Sequence, residues 1–223
     1  MIKKYLFFIV IIIFLTGCCK SNEKSWKTEY IGVVEKWQSE KGEDTLGYEF
    51  VYLDDDDIPE LVLYCYDEAY VGFDMYTIYE DVATRLELYG YDGEKCTDST
   101  VLTSKGRQMQ SDRYFLRKGI YIQETGMMDI RGMAGYFLEE GKLKRIFEYT
   151  SYFSKEDEYV YRTAYLDDKS GLLVEKSGVV TDESEDEFYS TLDEVYGISF
   201  YHLERLSDNN DLMDYRETMD FLK

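Results

Sequence analysis

A single histidine, His202, stands among 223 residues, so a metal site built on paired imidazoles and a relay through a second imidazole are both excluded. Its neighbours Phe200, Tyr201 and Leu203 are apolar, the setting of a packed or edge residue rather than a general base. Basic residues are also scarce, with 25 Lys and Arg against 46 Asp and Glu and a net charge of -21. A surface of that sign repels phosphate backbones and excludes nucleic acid as a partner. Solubility alone accounts for the charge, and cations or basic partners are its natural counterparts. No Gly-x-Ser-x-Gly turn, no glycine-rich phosphate loop and no thiol-enzyme motif occurs. The longest apolar run, Tyr5 to Leu15, falls short of the ~20 residues a permanent membrane helix needs.

What the chain does have is aromatic. Tyrosine occurs 23 times and aromatics make up 17% of the residues, with one proline, Pro59. That mixture favours strands whose rings pack across a sheet over an all-helical bundle. Trp26, Tyr30, Val33, Val34 and Trp37 draw one apolar stripe along a helix. Tyr48–Tyr52 and Leu61–Tyr66 read as strands on either side of an acidic turn at 54–60. From Tyr76 to Val180, short aromatic and β-branched runs alternate with turn signals, at Tyr91–Glu94, Glu139–Lys142 and Asp167–Gly171. Ser184 with Glu187 fits a capping box opening a helix that carries Phe188, Leu192, Val195 and Tyr196. A last helix is expected from Asn209, with Leu212, Tyr215, Met219 and Leu222 on one side. The expected fold is α+β: an N-terminal helix, a long antiparallel meander and C-terminal helices, in one domain over residues 25–223.

The first 18 residues have three parts: Lys3 and Lys4, the apolar run, and Leu15, Thr16, Gly17, Cys18. This is the layout of a signal peptide, residues 1–17. Its ending resembles the lipobox of bacterial lipoproteins of the Firmicutes type, an aliphatic residue and two small ones before a cysteine. The resemblance implies a diacylglycerol on Cys18, a short tether over residues 18–24, and an extracytoplasmic domain held to the outer face of the cytoplasmic membrane. Two acyl chains suffice for stable anchoring where one does not. An ordinary cleaved leader with Cys18 as an incidental thiol is the competing account.

Within the domain, Asp54, Asp55, Asp56, Asp57, Ile58, Pro59, Glu60 is the most distinctive stretch, since four adjacent carboxylates repel one another unless a cation or water compensates. It resembles an Asp-x-Asp-Gly-Asp-Gly-Ile-Pro-Glu-Leu turn of exported Firmicutes lipoproteins, similar in turn to the calcium loops of FG-GAP repeats. The resemblance implies Ca²⁺ held by Asp54, Asp56, the Ile58 carbonyl and Glu60, in a structural role. Tyr52 stands where the first acid belongs, and Asp55 and Asp57 replace both glycines. A hydrated acidic turn without metal is therefore the favoured expectation, and a weak Ca²⁺ site the other.

Cys65 and Cys96 are candidates for one disulfide, with unbonded thiols the equal expectation. Acid pairs occur at Glu139/Glu140, Asp167/Asp168 and across Asp182–Glu187, and chance supplies such pairs in so acidic a chain. The leading expectation for function is a non-enzymatic binding or interaction module with a protein or glycan ligand. The alternative is a cell-wall or glycan hydrolase using paired carboxylates.

Overall fold

The stripe from Trp26 to Trp37 winds into helix α1 (Glu23–Lys41), with Trp26, Tyr30, Val34 and Trp37 buried along one side. The computed structural model describes residues 23–67, 70–96, 109–127, 130–154, 158–181, 183–199, 203–206 and 212–223. Cys18, His202 and Asn209 lie outside them. After a 3₁₀ turn at Gly42–Asp44 come β1 (Thr45–Val51), β2 (Glu60–Asp67), β3 (Tyr70–Tyr79) and β4 (Val82–Arg85), an antiparallel four-stranded sheet in chain order.

A second, larger sheet follows. It is made of β5 (Leu88–Tyr89), β6 (Met109–Phe115), β7 (Ile120–Met127), β8 (Ile130–Glu139), β9 (Lys142–Phe153), β10 (Tyr159–Leu166), β11 (Leu173–Val179) and β12 (Leu203–Arg205). Its order is β11-β10-β9-β8-β7-β6-β12, antiparallel throughout, with the two-residue β5 beside β9 in the parallel sense. Helix α2 (Ser184–Tyr196) precedes β12, and α3 (Tyr215–Leu222) follows it.

The molecule is thus α+β and mostly antiparallel, but the single meander expected from the sequence is two sheets packed face to face. Val62, Tyr64, Phe73 and Met75 of the small sheet meet Tyr121, Tyr136, Leu138 and Leu143 of the large one in the inner core. On the outer face of the small sheet, α1 and α3 cover Tyr48, Leu61, Leu63 and Cys65. On the outer face of the large sheet, Phe188 and Leu192 of α2 cover Ile122, Phe147 and Tyr149. The order of layers is helices, sheet, sheet, helix, so both faces of each sheet have apolar residues to bury.

Alternation does the sorting. On β2, even positions face the inner core and odd ones the helices, the period-2 rule of a strand. On β9 the alternation shifts at a bulge opposite Gly135/Tyr136. Leu143 points to the inner core, whereas Ile146, Phe147 and Tyr149 point to α2. The extra residue puts Phe147 and Tyr149, which share the parity of Leu143, on the opposite face of the sheet.

The turn signals hold where the sequence placed them. Between β8 and β9, Glu140 (φ 52°) and Gly141 (φ 70°) both adopt the left-handed region, the two-residue hairpin geometry that favours glycine at its second position. At the β10–β11 turn, Asp167 Oδ1 accepts from the amides of Lys169 (3.1 Å) and Ser170 (2.7 Å). The tyrosines of the meander pair across strands: Tyr149 stacks on Tyr161 at 6.2 Å and 7°.

The helix starts differ from expectation. Ser184 does not cap α2; it is the first helical residue, and its hydroxyl donates to the Thr181 carbonyl (2.8 Å) while accepting from the Thr181 amide (3.1 Å). A capping box forms instead at α3, where Asp214 Oδ1 accepts from the Glu217 amide (2.8 Å) and Glu217 Oε2 accepts from the Asp214 amide (3.0 Å). Asp214→Ala is expected to cost about 1 kcal/mol in urea unfolding, whereas Ser184→Ala, whose hydroxyl closes only a local loop, should cost less.

Candidate functional site: the acidic turn

The acidic stretch joins β1 to β2, and its backbone is held by its own side chains. Asp54 Oδ1 accepts from the Asp56 amide (3.1 Å) and Asp56 Oδ1 from the Ile58 amide (2.7 Å). These two Asx-type bonds, each spanning two residues, wind the turn without glycine. Burial, together with the nearby Asp54 and Asp57, pushes the Asp56 carboxyl above its usual range, against the lowering effect of the Ile58 amide.

Glu60 lies on the inner side. Its position matches Val62 and Tyr64, so its side chain enters the space between the sheets and is only 1% exposed. Oε2 accepts from the Leu53 amide (2.8 Å) and Oε1 from the Thr77 hydroxyl (3.1 Å). The carboxyl therefore ties the two ends of the turn together and to β3. Desolvation pushes it up to about 8, with the charge of Asp54 adding to the rise and the two donors opposing it. From the helix side, Tyr30 sends its hydroxyl to the Pro59 carbonyl (2.9 Å), with the Tyr76 carbonyl also within reach (3.2 Å). Burial drives that phenol strongly upward, so it stays protonated as a donor.

The other sheet closes the turn from outside. The loop between β6 and β7 supplies three amides, Arg117 to the Tyr52 carbonyl (2.9 Å), and Lys118 (3.0 Å) and Gly119 (2.7 Å) to that of Leu53. The Arg117 guanidinium lies 4.8 Å from the centre of the Tyr52 ring and 3.5 Å from Asp57 Oδ1. Asp57 is almost fully exposed, so this ion pair adds at most ~1 kcal/mol. Tyr52, the departure from the acidic pattern, is here the platform for the cation that partly neutralises the run.

Of the residues expected around Ca²⁺, the structure keeps Asp54, Asp56 and Ile58 within one turn but turns Glu60 away into the protein. Among the described residues, no three acidic, cysteine or histidine side chains converge as a metal set. Ca²⁺ takes six to eight oxygens; here both Glu60 oxygens and one oxygen each of Asp54 and Asp56 accept protein hydrogen bonds. This arrangement does not fit the ion. Titration with Ca²⁺ by calorimetry is expected to give no saturable heat in the micromolar range, and the melting temperature should not move at low millimolar Ca²⁺; sub-micromolar binding would contradict the geometry.

The remaining candidates are dispersed. Cys65 and Cys96 are not bonded to each other. Cys65 faces α1 and α3 across the small sheet, and Cys96 packs on the inner core. They lie on opposite sides of that sheet, which is why the candidate disulfide does not form. Of the acid pairs, Glu139 bonds Lys144 at the surface. Asp167 is held below the usual carboxylate range by the Ser170 amide and hydroxyl, the opposite of what a general acid needs. Glu187 of the acidic run pairs with Lys176 at 3.3 Å.

Glu60 is the carboxyl whose range suits proton transfer near neutrality, yet it is sealed between the sheets. A parity count along β2 was the available signal for this, since Glu60 shares the phase of the inward residues.

A second polar cluster escaped the sequence. Arg145, on the inner side of β9, bonds Glu148 Oε2 (2.9 Å) and the Tyr136 hydroxyl (3.1 Å), with Tyr91 5.9 Å away under the guanidinium. Tyr91 in turn donates to the Ala164 carbonyl (3.1 Å). These bonds fasten the 89–96 segment to the large sheet.

Comparison with models of known protein families, with curated proteins and with solved structures finds no match. The chemistry of the site rests on its own geometry.

Proposed function

We propose that the chain is a lipoprotein of the extracytoplasmic surface, anchored through a diacylglycerol on Cys18, and that its domain serves as a non-enzymatic binding or interaction module. The observation that carries the address is the ending Leu15-Thr16-Gly17-Cys18 behind a basic start and a short apolar run. Among the described residues no helix is long and apolar enough to cross a membrane.

Support for the non-enzymatic half comes from where the buried polar groups go. Glu60 and Tyr30 spend their hydrogen bonds on fastening the turn to β3 and to the helix, and Arg145 spends its own on Tyr136 and Glu148 within the large sheet. The carboxylate pairs available to a hydrolase sit on exposed turns with lysine or amide partners. Mass spectrometry of the native protein is expected to show an N-terminal peptide beginning at Cys18 and carrying two acyl chains. A bare Cys18, or residues 1–17 still attached, would remove the address.

A further inference from the structure

The first turns of α1 lie beside an exposed aromatic ring. Lys27, in the first turns of α1, donates from Nζ to the Phe221 carbonyl (2.8 Å), and the same ammonium lies 5.3 Å from the Phe221 ring and 5.7 Å from that of Trp26. Phe221, in the last turn of α3, packs on Phe50 at 4.6 Å yet remains 45% exposed. The first turns of α1 and the last turn of α3 thus share one corner, with a large ring turned to solvent and a lysine over it.

Two features of the sequence bear on this corner. Residues 18–27 hold three lysines, Lys20, Lys24 and Lys27, against one acid, Glu23, in a chain of net charge -21. The stretch of chain from Cys18 to Glu23 reaches at most ~18 Å fully extended. An exposed aromatic ring with a lysine beside it is the combination that settles at a membrane interface, the ring among the upper acyl carbons and the ammonium at the phosphates. Elsewhere the acidic surface is repelled by anionic lipid.

We infer that this corner, Lys27 with Phe221, is the face the domain lays on anionic lipid headgroups, so that the anchor fixes the orientation of the domain as well as its address. The inference rests on the lipid at Cys18 proposed above. It turns α1 and the small sheet toward the bilayer and the large sheet with α2 toward the wall side.

The test uses the acylated chain in phosphatidylglycerol-containing vesicles. Phe221→Trp is expected to be quenched by lipids carrying a spin label near the headgroup, at least about twofold more than Leu172→Trp at the β10–β11 turn of the large sheet, as for a ring seated ~5–10 Å into the boundary. Hydrogen exchange of the natural chain provides a second readout, with slowed amides in 26–31 and 215–222 on vesicles. Lys27→Glu should lose that slowing while the protein stays bound through its lipid. If mass spectrometry of the same samples finds Cys18 acylated and the Phe221→Trp variant is quenched no more than the Leu172→Trp variant, the anchor stands and the orientation is overturned. If Cys18 is bare, the anchor itself fails and the orientation falls with it.

Discussion

Above pH 8, Glu60→Gln is expected to be more stable than the natural chain, and below about pH 5 slightly less. The reason is the desolvated carboxyl between the sheets. Its range is raised from 4.5 to about 8 on folding, so between those values the folded state holds a proton that the unfolded state has released. Stability linked to this group is therefore fully present below 4.5 and is lost as pH rises through about 8. At about 1.4 kcal/mol per pH unit, the loss is roughly 3–5 kcal/mol across the window. Glutamine keeps the shape, accepts from the Leu53 amide, and donates to the Thr77 oxygen in place of accepting from it, with no charge to desolvate. Its stability should be nearly flat over the same range. Glu60→Ala, by contrast, strands the Leu53 amide and the Thr77 hydroxyl and leaves a void, at a cost of about 3–5 kcal/mol at pH 6. Urea unfolding at pH 5, 7 and 9 compares all three. A natural chain that gains stability from pH 6 to 8 would show that the carboxyl is ionised in the fold.

The second large effect lies on the outer face of the large sheet. Gly135 and Phe147 are register partners on β8 and β9, and a Cβ at Gly135 would sit 2.2 Å from the Phe147 ring. That ring is fully buried and meets Phe188 edge-on at 6.0 Å, so it has nowhere to swing. Gly135→Ala is expected to cost about 1–3 kcal/mol through overpacking, and Phe147→Ala about 3–5 kcal/mol through the cavity it leaves. The double variant should cost less than the sum, because the alanine methyl enters space the ring has vacated. Additive costs in the cycle would mean that the two positions do not touch.

Much of the local structure was legible. The stripe of α1 could be read because its apolar residues recur at helical spacing from Trp26 to Trp37, and the β8–β9 and β10–β11 turns because Gly141 and Gly171 sit where the chain needs positive φ. The division of the strands into two sheets was not, since it depends on which strands pair over long separations. Leu86-Glu87-Leu88, where the chain leaves one sheet for the other, looks like any other apolar alternation. The helix start at Ser184 misled because Thr181 competes for its hydroxyl. In the acidic turn the four consecutive aspartates of the sequence point outward to solvent and cation. The partner that matters, Arg117, comes from a loop 60 residues away, and no spacing rule connects them.

The irregularity on β9 reaches further than one strand. Because Leu143 belongs to the layer between the sheets and Phe147 to the layer under α2, a single continuous ladder is shared by both apolar compartments. Peeling α2 away frees one face of a strand whose other face lines the inner compartment, so neither can melt without loosening the other. The two compartments should therefore come apart in one cooperative event.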